Sequence, residues 1–297
     1  SLASMLNPSA FTLKYFSANY YVPAQIIENN LKGAVGKANL KLYKMIMMGF
    51  FAGMFIAIGA EGSNLAVHTV DNFGLAKTLA GCIFPVGLMM LSIIGAELFT
   101  GNCMMITAVI DGRIKLVQML KNWVVVYLSN MLGSVVTAAL IYGSGQFDNS
   151  AGGLGAYTIK VAMGKTGLDF CNAFMSGIMC NVLVCIAVLM SYSAKDIIGK
   201  LFACFFPIMV FVVSGFEHCV ANMYYIPAGL MAASNSKYVD KACELYGCTA
   251  QQISDQLTVG HFFSKNLLPV TLGNIIGGGL IVGIGLYIIN KPKKVEE

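Results

Sequence analysis

The sequence predicts an all-α membrane protein of six transmembrane helices in two inverted three-helix repeats, with the second and fifth helices broken. Three observations predict it. The 297 residues are 57% hydrophobic and only 11% charged, with a mean hydropathy of +0.72, whereas soluble domains carry about a quarter charged residues. Apolar runs recur at residues 42–60, 75–110, 117–142, 168–192, 201–232 and 262–290. A pattern of Gly-x-Glu, four residues and Asn also occurs twice, as Gly95, Glu97 and Asn102 in "GAELFTGN" and as Gly215, Glu217 and Asn222 in "SGFEHCVANM".

Residues 1–41 lack signal-peptide architecture, and residues 1–4 carry no assignment. The stretch 10–40 reads as an amphipathic cytoplasmic helix lying at the membrane face, with Lys32 and Lys37 near the headgroups. The first run then serves as the insertion signal. In it, Gly49 and Gly53 let helices approach closely, as do Gly277–Gly279 in the last run. A straight span needs about 20 residues, so runs 75–110 and 201–232 are each too long for one span and too short for a comfortable pair. Both are expected to break, the second at Gly215.

The third and sixth runs carry a second repeated pattern. "KNWVVVYLSNMLG" from Lys121 and "KNLLPVTLGNIIG" from Lys265 share Lys-Asn, seven residues, Asn, two residues and Gly. The two patterns are offset by 120 and 144 positions, and the extra 24 fall in the loop before the last span. Three spans per repeat reverse the orientation of the second copy, a design that places polar sites at mid-membrane between discontinuous helices. Lys and Arg divide 13 to 6, out of 19, between alternate loops. By the positive-inside rule this puts both termini of a multi-pass plasma-membrane (inner-membrane) protein in the cytoplasm.

A broken helix exposes backbone N–H and C=O groups that hydrocarbon does not tolerate. Glu97 and Asn102 in one loop, and Glu217 and Asn222 in the other, are the residues expected to cap and pin them. His218 needs a separate reason, because Leu98 stands at the matching place in the first repeat. A charged group there would cost roughly 2.5 to 3.5 kcal/mol on insertion scales, but an imidazole can donate, accept or carry charge with little energetic change. It is expected to face a polar path. His68 and His261, near span ends, are expected to make interfacial hydrogen bonds.

Other chemistries are excluded. No metal-ligand spacing and no cofactor motif occurs, and neither His-Glu-x-x-His nor Gly-x-Ser-x-Gly is present, so no enzyme is expected. No basic patch with its own fold points to a nucleic-acid partner. Cys82, Cys103, Cys171, Cys180, Cys185, Cys204 and Cys219 lie in apolar segments and read as packing. Only Cys243 and Cys248 lie in a loop, where spacing leaves a disulfide open. The paired Asn-Pro-Ala motifs of neutral-solute channels are absent, since Asn-Pro occurs only at Asn7-Pro8.

"GAELFTGN", "GFEHCVANM", "KNWVVVYLSN" and "NLLPVTLGNIIGGG" together resemble the formate/nitrite transporter family, with likeness running over residues 24–289 and strongest to its hydrosulfide-channel branch. The resemblance implies an aquaporin-like fold, a homopentamer in the lipid bilayer, and one path per protomer for a small inorganic or organic monovalent anion. Hydrosulfide is the first expectation, and formate and nitrite are alternatives. Residues 42–290 would be the channel domain (repeats about 42–142 and 168–290), flanked by a cytoplasmic segment, 1–41, and tail, 291–297. By matching motifs, His218 is the central histidine, with Thr100 and Asn181 on the same path. Phe84, Leu88 and Leu98 form the apolar constriction on one side and Phe211 that on the other, and Lys165 is the vestibule lysine. A weak-acid anion could be protonated near the apolar ring, with the proton coming from His218 or from vestibule water.

Overall fold

A computed structural model describes residues 20–291. Expectations that fall on residues 1–19, including Lys14 and the start of the 10–40 segment, and on residues 292–297 of the tail, including Lys293 and Lys294, lie outside the described residues. In chain order the helices are α1 (Pro23–Ala38), α2 (Leu42–Val67), α3 (Phe73–Ile94), α4 (Phe99–Ile110), α5 (Leu116–Gly143) and α6 (Gly153–Thr166). They continue as α7 (Phe170–Ser193), α8 (Ile197–Ser214), α9 (Cys219–Ala233), α10 (Ser236–Tyr246), α11 (Ala250–Gln256) and α12 (Val259–Asn290). Six of them, α2, α3, α5, α7, α8 and α12, are long and apolar enough to cross a membrane.

Both overlong runs break at their glycines. Gly95 ends α3 at φ 90° and Gly215 ends α8 at φ 72°, conformations that a Cβ disfavours. Short half-helices, α4 and α9, resume four residues later and complete the crossings. The first span is longer than its apolar run. Glu61 interrupts the hydrophobic pattern at residue 60, yet α2 continues to Val67, because the Glu61 carboxylate is buried and accepts a hydrogen bond from the Tyr224 hydroxyl of α9.

The spans pack through glycine in the same way in each half. A Cβ on Gly53 or Gly133 would strike the carbonyl of Asn130 or Phe50 between α2 and α5, and one on Gly273 or Gly277 would strike that of Phe174 or Ile178 between α7 and α12. Backbone contact this close is how helices associate where lipid removes the hydrophobic drive.

One expectation needs correcting. α1 turns its apolar face onto the protein: Ile27, Leu31 and Ala34 are buried, and Glu28 forms a two-pronged pair with Arg113 at 2.7 and 2.8 Å. Lys32 stays exposed, but Lys37 points into the protein and sits 3.4 Å from Glu97. α6 was not anticipated, and it precedes α7 as α1 precedes α2. Lys165 stands five residues before Phe170, as Lys37 stands five before Leu42. α10 and α11 fill the insertion before the last span, between α9 and α12.

Candidate functional site

Each break is held by a polar frame, and the two frames match residue for residue. At the first, the side-chain amide of Asn102 donates to Glu97 at 2.7 Å and to Asn122 at 2.8 Å. Asn130 accepts from the N–H of Phe99 at 2.9 Å and donates to the carbonyls of Glu97 and Gly49. At the second, Asn222 donates to Glu217 at 2.6 Å and to Asn266 at 2.7 Å. Asn274 accepts from the N–H of Cys219 at 2.9 Å and donates to the carbonyls of Glu217 and Gly177. A lysine closes each frame, Lys37 beside Glu97 and Lys165 at 2.8 Å from Glu217. Burial works against the charge on Lys37, but Glu97 and Tyr192 beside it outweigh that and raise its pKa above the ordinary value.

These frames satisfy backbone that would otherwise be stranded in hydrocarbon. They also take hydrogen-bond capacity that the sequence reading had left free at the helix starts. Asn122, Asn130, Asn266 and Asn274 were visible only as parts of a repeated pattern. The eight-residue spacing shared by Asn122 with Asn130 and by Asn266 with Asn274 was the available signal.

The half-helices meet at Thr100 and His218. The hydroxyl of Thr100 lies 2.9 Å from His218 Nε2, both residues being buried. His218 is the N-cap of α9, and its Nδ1 accepts the N–H of Ala221 at 3.0 Å. An accepting Nδ1 carries no proton, so the neutral ring holds its proton on Nε2 and donates it to Thr100 Oγ1. The Thr100 hydroxyl hydrogen is thereby turned away from His218. A second proton on the ring would face the Ala221 N–H and break the cap.

Asn181 departs from its expected place. Its side-chain N–H groups go to the carbonyls of Thr100 at 3.1 Å and Asn274 at 2.6 Å, so it ties α4 and α12 to α7 and has no donor left for a solute. The Cys185 thiol adds a contact to the same Thr100 carbonyl.

Two cavities flank this junction. The larger, about 510 Å³, is lined by Phe84, Phe211, His218 and Lys165, with Lys77 and Lys160 as further cations and Asp71 as an acid. Lys77 and Lys160 escaped the sequence reading because they lie in or beside apolar helices with no motif around them. The smaller, about 210 Å³, is lined by Leu88, Leu98, Gly101, Lys37 and Glu97. Phe84 therefore belongs with Phe211, not with Leu88 and Leu98: the two rings meet edge to face with centroids 5.3 Å apart. One helical turn separates Phe84 from Leu88, about 5 Å, enough to set them on opposite sides of His218. All four residues expected to form constrictions are at most 4% exposed.

Outside the junction, His68 bonds Ser150 and the Leu65 carbonyl, and His261 bonds the Gln256 carbonyl.

The family model for formate/nitrite transporters matches residues 24–288. The chain belongs to the formate/nitrite transporter family. This transporter is 40% identical over 253 residues to the formate channel FocA of Haemophilus influenzae, covering 84% of this chain and 88% of that one. It is 35% identical over 270 residues to FocA of Escherichia coli, covering 90% and 94%. Among solved structures, it aligns with a pentameric formate channel with formate bound at a TM-score of 0.73 and 34% identity, covering 84% of this chain and 97% of that one. With an FNT family ion channel the TM-score is 0.76 at 27% identity, covering 89% and 98%. Membership makes this formate/nitrite transporter an integral membrane channel or transporter, not an enzyme.

Proposed function

We propose that the chain is a channel for small monovalent weak-acid anions, with formate as the leading solute, working as a homopentamer in the plasma membrane with both termini cytoplasmic. The observation that carries the reading is the Thr100–His218 contact at 2.9 Å, which joins the two half-helix starts between two cavities bordered by apolar side chains. The sequence reading favoured hydrosulfide. The relatives reported above are named as formate channels, and that moves formate to first place.

An anion leaving water loses solvation that must be replaced. Lys77, Lys160 and Lys165 bring it into the larger cavity. Lys165 is partly neutralised by Glu217, so the first two carry more of the attraction than the motif suggested. At the junction the freed Thr100 hydroxyl donates to the anion while His218 holds it in place. At the Phe84–Phe211 ring the anion crosses as the neutral acid, since a protonated weak acid pays no ionic desolvation. The Nδ1 cap favours vestibule water over His218 as the proton source, because a doubly protonated ring would sacrifice the Ala221 bond. In proteoliposomes, formate, nitrite, acetate and hydrosulfide flux across a pH series tests this. Formate should lead and every flux should rise as pH falls. Faster hydrosulfide at equal gradients restores the first expectation, and flux indifferent to pH removes the neutral-acid step. In His218→Phe, pH dependence should persist if vestibule water supplies the proton.

A further inference from the structure

The insertion before the last span of the second repeat carries chemistry that anion passage does not use. α10 ends in Tyr246 and is closed by Gly247 at φ 66°, whose N–H bonds the Cys243 carbonyl at 3.1 Å. A left-handed residue at this position turns the chain back, so that the residue after it meets the helix's last turn. Here those residues are Cys248 and Cys243, and the two thiols are near enough for each to act on the other's charge. Both are free and partly exposed. Cys248 is fixed from the other side as well: Thr249 opens α11 with reciprocal bonds to Gln252 at 2.9 and 3.1 Å. Tyr246, between the two cysteines, lines the larger cavity and lies under the Lys160 ammonium at 4.4 Å.

We propose that Cys243 and Cys248 form a reversible disulfide that closes residues 243–248 around Tyr246 at the wall of the larger cavity. The oxidant is a disulfide donor, either a small molecule or a protein. One thiol of the pair, as thiolate, attacks a donor sulfur and expels the first donor thiolate. The other then attacks that mixed disulfide and expels the second. Two cysteine thiols are oxidised, the donor disulfide is reduced to two thiols, and the two cysteine protons pass to the leaving thiolates. Burial, with Cys248 and Asp240 nearby, pushes the Cys243 thiol up. Exposure and a short loop make the bond labile rather than structural. Its consequence rests on the channel reading: fixing Tyr246 fixes the Lys160 ammonium where the anion enters.

The test uses the full chain in vesicles equilibrated with oxidised glutathione, then alkylated with N-ethylmaleimide and digested. The fragment containing residues 243 and 248 should be two hydrogens lighter than the dithiol and carry no alkyl group, and dithiothreitol should restore two alkylation sites. Cys248→Ser should leave Cys243 alkylated or capped by glutathione. Two alkyl groups on the oxidised wild-type fragment, a persistent glutathione adduct, or a disulfide between chains overturns the proposal. This mass readout is independent of transport. Oxidation should also lower the half-saturating formate concentration in wild type and leave Lys160→Ala unmoved. An unchanged value with the bond formed overturns the role given to Tyr246.

Discussion

His218 does two jobs with two nitrogens. Nδ1 caps α9 and Nε2–H orients Thr100, so substitutions should separate stability from transport. His218→Asn keeps a good cap and should unfold within a few tenths of a kcal/mol of wild type, while His218→Leu should lose about 1 kcal/mol in a thermal or denaturant melt. Thr100→Val removes a donor worth about 1–3 kcal/mol at a buried site. It should lower formate flux about tenfold or more, with Thr100→Ser recovering most of it. His218 was legible in the sequence because symmetry failed there: Leu98 occupies the equivalent position, so scaffold alone could not explain an imidazole. Asn181 was misread because a sequence does not reveal where an amide's two hydrogens go. Phe84 was misplaced for a related reason, since one helical turn decides which side of a junction a ring occupies.

At the scale of elements, each interrupted span depends on a buried carboxylate, two neighbouring asparagine amides and a lysine. Removing only the cation leaves an uncompensated buried charge, which costs about 3–5 kcal/mol. Lys165→Met and Lys37→Met should each lower the melting temperature clearly in detergent. Adding Glu217→Gln or Glu97→Gln to the matching variant should restore much of the loss, because the amide needs no counter-ion. Gly53→Val should prevent α2 from reaching α5, with a loss of about 1–3 kcal/mol or more for overpacking. A melt unchanged from wild type would show that the two backbones are not in contact. All six spans were legible from hydropathy, and both breaks were visible from run length and glycine. α6 was not legible: its buried face comes from Ala156, Ile159 and Ala162 among small and polar residues, too weakly apolar for a span and too short to stand out. Glu61 hid the end of α2, because a carboxylate looks like a boundary until its hydroxyl partner, 163 positions away, is known.

The molecule as a whole is tied together at the α1 end by Glu28, Arg113 and Asp111, with the Tyr287 hydroxyl of α12 on Asp111 at 2.5 Å. The Arg113 hydrogen bond holds the Glu28 carboxyl below its ordinary value of 4.5. Burial raises the pKa of Asp111, but Tyr287 and Arg113 outweigh it and hold it low as well. A carboxyl depressed on folding stabilises the docked form above its unfolded pKa, and that contribution fades as pH falls through the folded one. α1 should therefore loosen below pH 4.5, seen as faster hydrogen exchange over residues 23–38. Arg113→Ala should bring the same loosening at neutral pH. Both carboxylates are partly exposed, so the effect is modest, about 1 kcal/mol or less. The inverted repeat was legible from two short patterns, whereas the membership of α1 and α6 in it was not, because only Lys37 and Lys165 are shared and they lie outside both patterns.

Because the frames around the two breaks use the same residue types, each cavity presents a carboxylate, asparagine amides and an ammonium at its inner end, with the ammonium on Asn102 and near Glu97 in one and on Glu217 in the other. Whatever inequality exists between inward and outward currents must then originate where the halves differ, in the added Lys77 and Lys160 of the larger cavity and at imidazole 218 facing the aliphatic residue 98. Exchanging the second contrast, with leucine at 218 and histidine at 98, should reduce the rectification at the expense of the α9 cap, and the inequality that survives belongs to the cavity cations.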